Sequence, residues 1–356
     1  MVNAQEYLDR IYPKEKRGSV TNLNVSRKEL RGALIIEDFV NLRELNCSFN
    51  GWGSNEGITN LEIKNCPKLE IIRCQYNQIP RLNLQKLSSL KTLICNDNIL
   101  SGLDLGQNEN LEALNIMNNN FSESDLFSLN LKAKLKKLEL GTGNREMIEK
   151  GLYNRFSGSL EHLADLKELT FLDIRNTDIS SGLEYLPDSV QTFNCSHNLV
   201  SNSRVRIIYN SLVKGGDDID GKGFVKEFTE KLADYKKKKK EESAFQKAEI
   251  ESLKSKLADL SREKDEEIKR MQAELEKKEE RIKKLDQHVK ILEGMLTSDS
   301  TEIINPTNIS QREQFLRSKI ANLSIENAEA NKIIAEAHEK LVAQILVRPP
   351  QGGGNG

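Results

Sequence analysis

The stretch "LRELNCSFN" (residues 42–50) returns as "LEIIRCQYN" (69–77), "LKTLICNDN" (90–98) and "LEALNIMNN" (111–119), and this recurrence decides how the chain is read. Each copy carries apolar residues at its first, fourth and sixth positions and asparagine at its ninth. The central residues Ile72, Leu93 and Leu114 are spaced 21 residues apart. Looser copies follow as "LKKLELGTG" (135–143), "LTFLDIRNT" (169–177) and "VQTFNCSHN" (190–198), and "VTNLNVSRK" (20–28) opens the series. Side chains alternate along a strand, so a short strand in each copy sends Leu45 and Cys47, or Leu93 and Cys95, to one side and their neighbours to the other. Self-similarity at a period of this length marks stacked repeats.

The frame resembles the leucine-rich repeat family, whose L-x-x-L-x-L-x-x-N core it matches over roughly residues 20–200. The resemblance implies an α/β solenoid with parallel strands on a concave face, and a concave face that binds a protein partner. Four of the five cysteines are then an apolar filler: Cys47, Cys74, Cys95 and Cys195 share their slot with Ile116, Leu140 and Ile174. The alternative, a metal held by Cys47, Cys74 and Cys95 on successive repeats, needs tetrahedral convergence, whereas stacked side chains run parallel and no histidine completes the set. Cys66 is read as one more packed thiol. Asn50, Asn77, Asn98 and Asn198 suit the turn off each strand, where a buried amide satisfies backbone groups, and Gly143 and Thr177 interrupt that ladder. No metal and no cofactor are expected.

The same alternation defines the outward columns. Glu44, Asn46 and Ser48 face out of the first full repeat, and Ile71, Arg73, Gln75, Thr92, Ile94, Asn96, Ala113, Asn115, Met117, Lys137, Glu139, Phe171, Asp173 and Arg175 continue the columns. Ile71, Ile94 and Met117 form an apolar diagonal, with Phe49 and Tyr76 just beyond their strands. Phe49, Ile71, Arg73, Tyr76, Ile94, Met117, Phe171 and Arg175 are therefore the candidate partner-binding residues; scattered surface apolar groups are the plainer alternative. The insertion "GWGSNEG" (51–57) carries Trp52, the single tryptophan, which either joins this surface or folds back over core leucines. "NREMIEKGLYNRFSGSLEHLADLKE" (144–168) reads as a helical insertion.

After residue 200 the pattern changes. "SRVRIIYNSLVKGG" (203–216) reads as a helix sealing the last repeat. "DDIDGKGFVKEF" (217–228) is similar to a calcium loop but fails in either register and is read as a polar turn. From residue 244 apolar residues alternate three and four apart: Ile250, Leu253, Leu257, Leu260, then Ile268, Met271, Leu275, Ile282, Leu285, Val289, Leu292 and Leu296. This predicts a dimerising coiled coil about 80 Å long, with a stutter at Lys264 and Ile268. Ile282 and Val289 at a, with Leu285 and Leu292 at d, favour a parallel pair, with itself or with a related chain. Pro306 interrupts the rod, and a last helix with Leu316, Ile320, Leu323, Ala330, Ile334, Ala337 and Leu341 either extends it or folds back, Asn327 falling at an a position. Lys236 to Lys240 reads as a solvated helical face beside Glu241 and Glu242, with an import patch as the alternative.

Composition agrees with an elongated chain, because 37% hydrophobic and 30% charged residues over 356 positions are too polar for one large globule. A net charge of −1 argues against nucleic-acid or acidic-membrane binding. The opening "MVNAQEYLDRIYPKEK" has no signal pattern, no apolar run reaches the roughly 20 residues that span a bilayer, and the odd number of cysteines suits reduced thiols, so the expected address is cytoplasmic. "GTGNRE" (141–146) lacks the third glycine of a nucleotide loop, and no catalytic motif was found. The expected organisation is a capping helix over 1–20, an α/β solenoid over 20–202, a second cap and connector over 203–243, a coiled coil over 244–297, a linker over 298–308, a second helix over 309–347 and a disordered tail over 348–356. The expected role is that of a non-enzymatic adaptor or scaffold, as the combination resembles adaptors in signalling or cytoskeletal organisation and little-characterised fungal repeat proteins. Two rivals are a regulator of a small GTPase, which needs an exposed arginine such as Arg73 or Arg175, and a filament-forming structural protein.

Overall fold

The computed structural model describes residues 2–53, 56–200, 203–213, 219–220, 222–297 and 306–346. The side chains of Leu296 and Leu341, residues 298–305 of the expected linker, Asp217, Asp218 and Gly221 of the calcium-like loop, and the 348–356 tail lie outside the described residues.

Leu23, Leu45, Ile72, Leu93, Leu114, Leu138, Leu172 and Phe193 stand opposite one another across one parallel sheet of eight strands. The strands are Asn22–Asn24, Glu44–Asn46, Ile71–Arg73, Thr92–Ile94, Ala113–Asn115, Lys137–Glu139, Phe171–Asp173 and Thr192–Asn194. Sheet order equals chain order and every pairing is parallel, so the chain leaves each strand, crosses behind the sheet and returns one strand further on. The result is an α/β repeat fold with a continuous apolar core between the strands and their return segments.

The chain turns off its strands through a residue four positions past the strand centre that adopts a left-handed conformation: Arg27, Phe49, Tyr76, Asp97, Asn118 and Asn176, all with φ between 50° and 58°. A non-glycine residue pays about 1–2 kcal/mol for that conformation. The asparagine that follows offsets it. Asn77 donates from Nδ2 to Cys74 O and Cys47 O at 3.0 Å each and accepts the Ile58 N–H at 3.2 Å. Asn98 and Asn119 repeat this one strand along, accepting from Ile79 at 3.0 Å and Leu100 at 2.9 Å. Each amide thereby ties its own turn to the preceding strand and to the return segment.

Two positions depart from the expected ladder. Where Gly143 stands, Asn154 reaches in from the insertion, donating to Leu140 O at 2.7 Å and Ile116 O at 2.8 Å and accepting the Phe121 N–H at 3.3 Å. Asn198 is exposed, because it belongs to the last repeat and no further strand covers its turn. Asn176, inside the expected gap at Thr177, does the work instead, donating to Thr142 O at 2.7 Å and accepting from Leu199 and Val200.

The insertion over 144–168 is not the helix its sequence suggested. Only Arg145–Glu149 is α-helical; Gly151 and Gly158 then take φ of 74° and 85°, and Ser157–Ser159 pairs with Asp178–Ser181. At the N-terminal end, Val2–Asn3, Leu30–Glu37 and Ile58–Lys64 form a second parallel sheet. The helix Ala4–Ile11 is capped by the Asn3 side chain and buries Ala4 and Leu8 there, while Gln5 Oε1 accepts the Ile35 N–H at 2.7 Å. At the other end Val205, Ile208 and Leu212 of the helix Val205–Leu212 are buried. Asp220 Oδ1 accepts the Lys222 and Phe224 amides at 2.9 Å each, so this carboxylate of the calcium-like stretch closes a turn. The helix Phe228–Thr297 follows, so the connector expected as far as residue 243 is already helical from Phe228, where Phe228 and Leu232 bury against the repeats.

The chain forms two units, Met1–Ser243 and Ala244–Gly356. In the second, the helix Pro306–Leu346 runs antiparallel to the first helix: Asn327 Nδ2 bonds Asp286, and further along His338 Nε2 lies 4.0 Å from Glu279. Ile268 and Leu275 are buried, and Met271, Ile282, Leu285, Val289 and Leu292 half-buried, facing Leu316, Ile320, Leu323, Asn327, Ala330, Ile334 and Ala337. The last helix therefore folds back. The expected dimerisation seam is divided, its distal heptads covered by the chain itself and Ile250, Leu253, Leu257 and Leu260 left exposed.

Candidate interaction surface

In each of the first five strands the central residue is buried and its neighbours are half-exposed or exposed, so the outward columns follow directly from the pleat. Charge on this face is neutralised in pairs at its two ends. Arg73 bonds Glu44, Lys137 Nζ lies 2.9 Å from Glu139, and Arg175 grips Asp173 with two guanidinium nitrogens. Between them lies a band without formal charge, made by Ile71, Thr92, Ile94, Ala113, Asn115 and Met117. Gln75 points into the same region, and among the described residues its Oε1 is buried without a donor.

Beside the band runs a rim built from the left-handed column. The Arg27 guanidinium sits 4.3 Å from the Phe49 ring centroid, Phe49 stacks on Tyr76 at 4.7 Å, and Tyr76 bonds Asp97. Asp97 accepts from Asn118 at 2.9 Å, and Asn118 Oδ1 accepts the Gly143 amide at 2.7 Å. Burial raises the Asp97 carboxyl above its ordinary range, against the hydrogen bonds from Asn96, Asn118 and Tyr76. Trp52 joins the rim edge-on to Tyr76 at 4.4 Å and stays 63% exposed, so it is not a lid over core leucines. The loop that carries it closes tightly, since a Cβ on Gly51 would meet Glu56 O at 2.7 Å.

The structure thus brings Ile71, Ile94 and Met117 together on the band, with Arg73 paired to Glu44 at its border, and Phe49 and Tyr76 together on the rim. Two of the outward assignments are corrected. Ser48 and Asp173, assigned to outward columns, are buried; Ser48 Oγ turns back to Asn46 Oδ1 at 2.6 Å, and Asp173 is enclosed by Arg175 and the last repeat. Phe171 is half-exposed, with the Phe224 ring edge-on at 5.5 Å and Lys137 Nζ 4.7 Å from its ring centroid. Arg175 packs across Gly141, where a Cβ would come within 2.6 Å of its backbone, and is not a free arginine. Trp52, Gln75 and Asp97 were not among the candidates, although the frame places Asp97 in register with Phe49 and Tyr76.

The thiol column lies on the opposite, inward side. All five cysteines are free and buried. The hydrogen bond with Cys95, and then burial, hold the Cys74 thiol well above its ordinary value; burial first, and Cys74 second, do the same for Cys47, and burial pushes Cys66 up to about 11. Protonated thiols are poor metal ligands. Among the described residues no group of three or more His, Cys, Asp or Glu side chains is placed to hold a metal ion, and no helix is long and apolar enough to cross a membrane.

No family model and no curated protein matches the chain. Among solved structures it is similar to the functional domain of InlJ from Listeria monocytogenes, described as including a cysteine ladder, at 17% identity and a TM-score of 0.26. The likeness covers 52% of this chain and 53% of that one, about half of each.

Proposed function

We propose that the chain is a non-enzymatic, cytoplasmic adaptor of the leucine-rich repeat kind, whose outward strand face binds a protein partner and whose helical unit pairs the molecule. The observation that carries it is the uncharged band centred on Ile94. Half-exposed Ile71, Ile94 and Met117 step diagonally across three successive repeats, Ile71 level with Thr92, Ile94 level with Asn115 and Met117 two residues past its strand, so they form an apolar contact area on a scaffold that needs little ordering before a partner docks. The flanking ion pairs and the amides of Asn115 and Gln75 supply a polar border of the kind that surrounds interface centres. The cytoplasmic address is supported by five unpaired thiols kept inside the core. A photo-crosslinking side chain placed at Ile94 in cells is expected to capture a discrete protein, whereas the same group at Gln85, exposed on the return side, captures none of it. Equal capture from both positions would remove the band from the interface.

A further inference from the structure

We propose that Ile250, Leu253, Leu257 and Leu260 form a parallel, in-register contact with a second copy of this chain, confined to residues 242–263. The inference rests on the adaptor reading and specifies how its helical unit pairs. These four side chains are 51%, 57%, 60% and 57% exposed, though they continue the stripe that is covered from Ile268 onward. The cover ends because the second helix runs out. Asp286 is level with Asn327 and Glu279 with His338, so Ile268 is level with the end of the helix at Leu346. Beyond it the sequence "VRPPQGGGNG" (347–356) holds one aliphatic residue and two prolines, too little to supply an apolar helix face over the stripe. Among the described residues, the second helix of the hairpin leaves this stripe uncovered.

Charge selects the occupant and its direction. With Ile250 and Leu257 at a, and Leu253 and Leu260 at d, the flanking positions hold Glu242, Lys247, Glu249, Lys254, Lys256 and Glu263. A parallel second copy sets Glu249 against Lys254 of the other chain and Glu242 against its Lys247, each twice by symmetry. An antiparallel copy centred on the same stripe opposes Lys254 to Lys254, Lys256 to Lys256 and Glu249 to Glu263. Both charged pairs attract in the first arrangement and all three repel in the second, the uncharged Ser261 completing the set in each. Lys254 now bonds Glu251 at 2.8 Å on its own exposed helix surface, a pair weak enough to exchange. Ser243 and Gln246 before the stripe, and Lys264 after it, occupy core positions with polar groups, which limits the seam to four apolar layers. So short a seam gives a reversible, concentration-dependent dimer. Pairing then rises where the chains gather, and with it the avidity of two recognition faces for a clustered target.

Sedimentation velocity of the full chain over roughly 1–100 μM tests this, a range that brackets a micromolar dissociation constant. The expected result is a monomer–dimer equilibrium that Leu253→Glu with Leu257→Glu abolishes; both sites are exposed, and an unchanged circular dichroism melt verifies the fold. Glu249→Lys is expected to weaken pairing about tenfold, and the double variant Glu249→Lys with Lys254→Glu to restore it. A monomeric wild type throughout this range, a dimer indifferent to the leucine substitutions, or tighter pairing in Glu249→Lys, the antiparallel outcome, would each overturn the proposal. A monomeric wild type that still crosslinks its partner from Ile94 would remove the pairing and leave the strand-face part of the adaptor reading standing, so the two failures are distinguishable.

Discussion

Cys47, Cys74, Cys95 and Ile116 fill one buried slot on successive repeats, where burial and then Cys74 hold Cys47, and the Cys95 hydrogen bond and then burial hold Cys74, well above the ordinary thiol range. Sulfur is there as volume. If so, Cys95→Val conserves shape and costs less than about 1.5 kcal/mol, while Cys95→Ser buries a hydroxyl among Leu and Ile side chains and costs about 2–3 kcal/mol. Urea unfolding of the two variants separates these values, and a valine variant as damaged as the serine one would show that sulfur itself is needed. The inward leucines, the thiol slot and Ile71, Ile94 and Met117 were legible because alternation along a strand is local. Phe171 and Arg175 were not, since Phe224 arrives from beyond the last repeat and Asp173 is buried by a strand that follows it.

At the level of the element, each repeat contributes one rung to three ladders. The amide ladder of Asn50, Asn77, Asn98 and Asn119 lies inside; the rim from Arg27 to Asn118 lies on one edge. On the other edge charges alternate from repeat to repeat, Arg43 bonding Glu70, Lys91 reaching Glu70 at 2.8 Å and Lys136 reaching Glu112 at 2.8 Å. The amide ladder shows what sequence could not supply. Gly143 marks the missing rung, but nothing nearby says that Asn154 replaces it, because the substitute comes from the loop rather than the frame. Asn154→Ala strands two buried carbonyls and one amide and is expected to cost about 2–4 kcal/mol. Asn198→Ala, at the frame position but exposed, is expected to stay within about 0.5 kcal/mol. Denaturant midpoints of both variants decide whether the structural or the sequence ladder is the one that bears load. The helical misreading of 144–168 has a similar origin: its glycines break a pattern that composition alone suggested.

For the whole molecule, the proposed adaptor uses the repeats as a rigid recognition face and the exposed stripe of the helical hairpin as the place where two copies meet. Heptads state which face of a helix is apolar and not what covers it, so the fold-back of Pro306–Leu346 lay beyond the reach of the pattern. The account depends most on the outward side chains of the central strands being free to recognise a protein while their inward neighbours hold the fold. Proximity labelling in cells, comparing the wild type with Ile94→Asp combined with Met117→Asp, tests this most directly. The account predicts that the double variant keeps the wild-type melting transition within a few degrees, as partly exposed sites allow, and loses a discrete set of labelled proteins. A labelled set identical to that of the wild type, from a protein that remains folded, would contradict it.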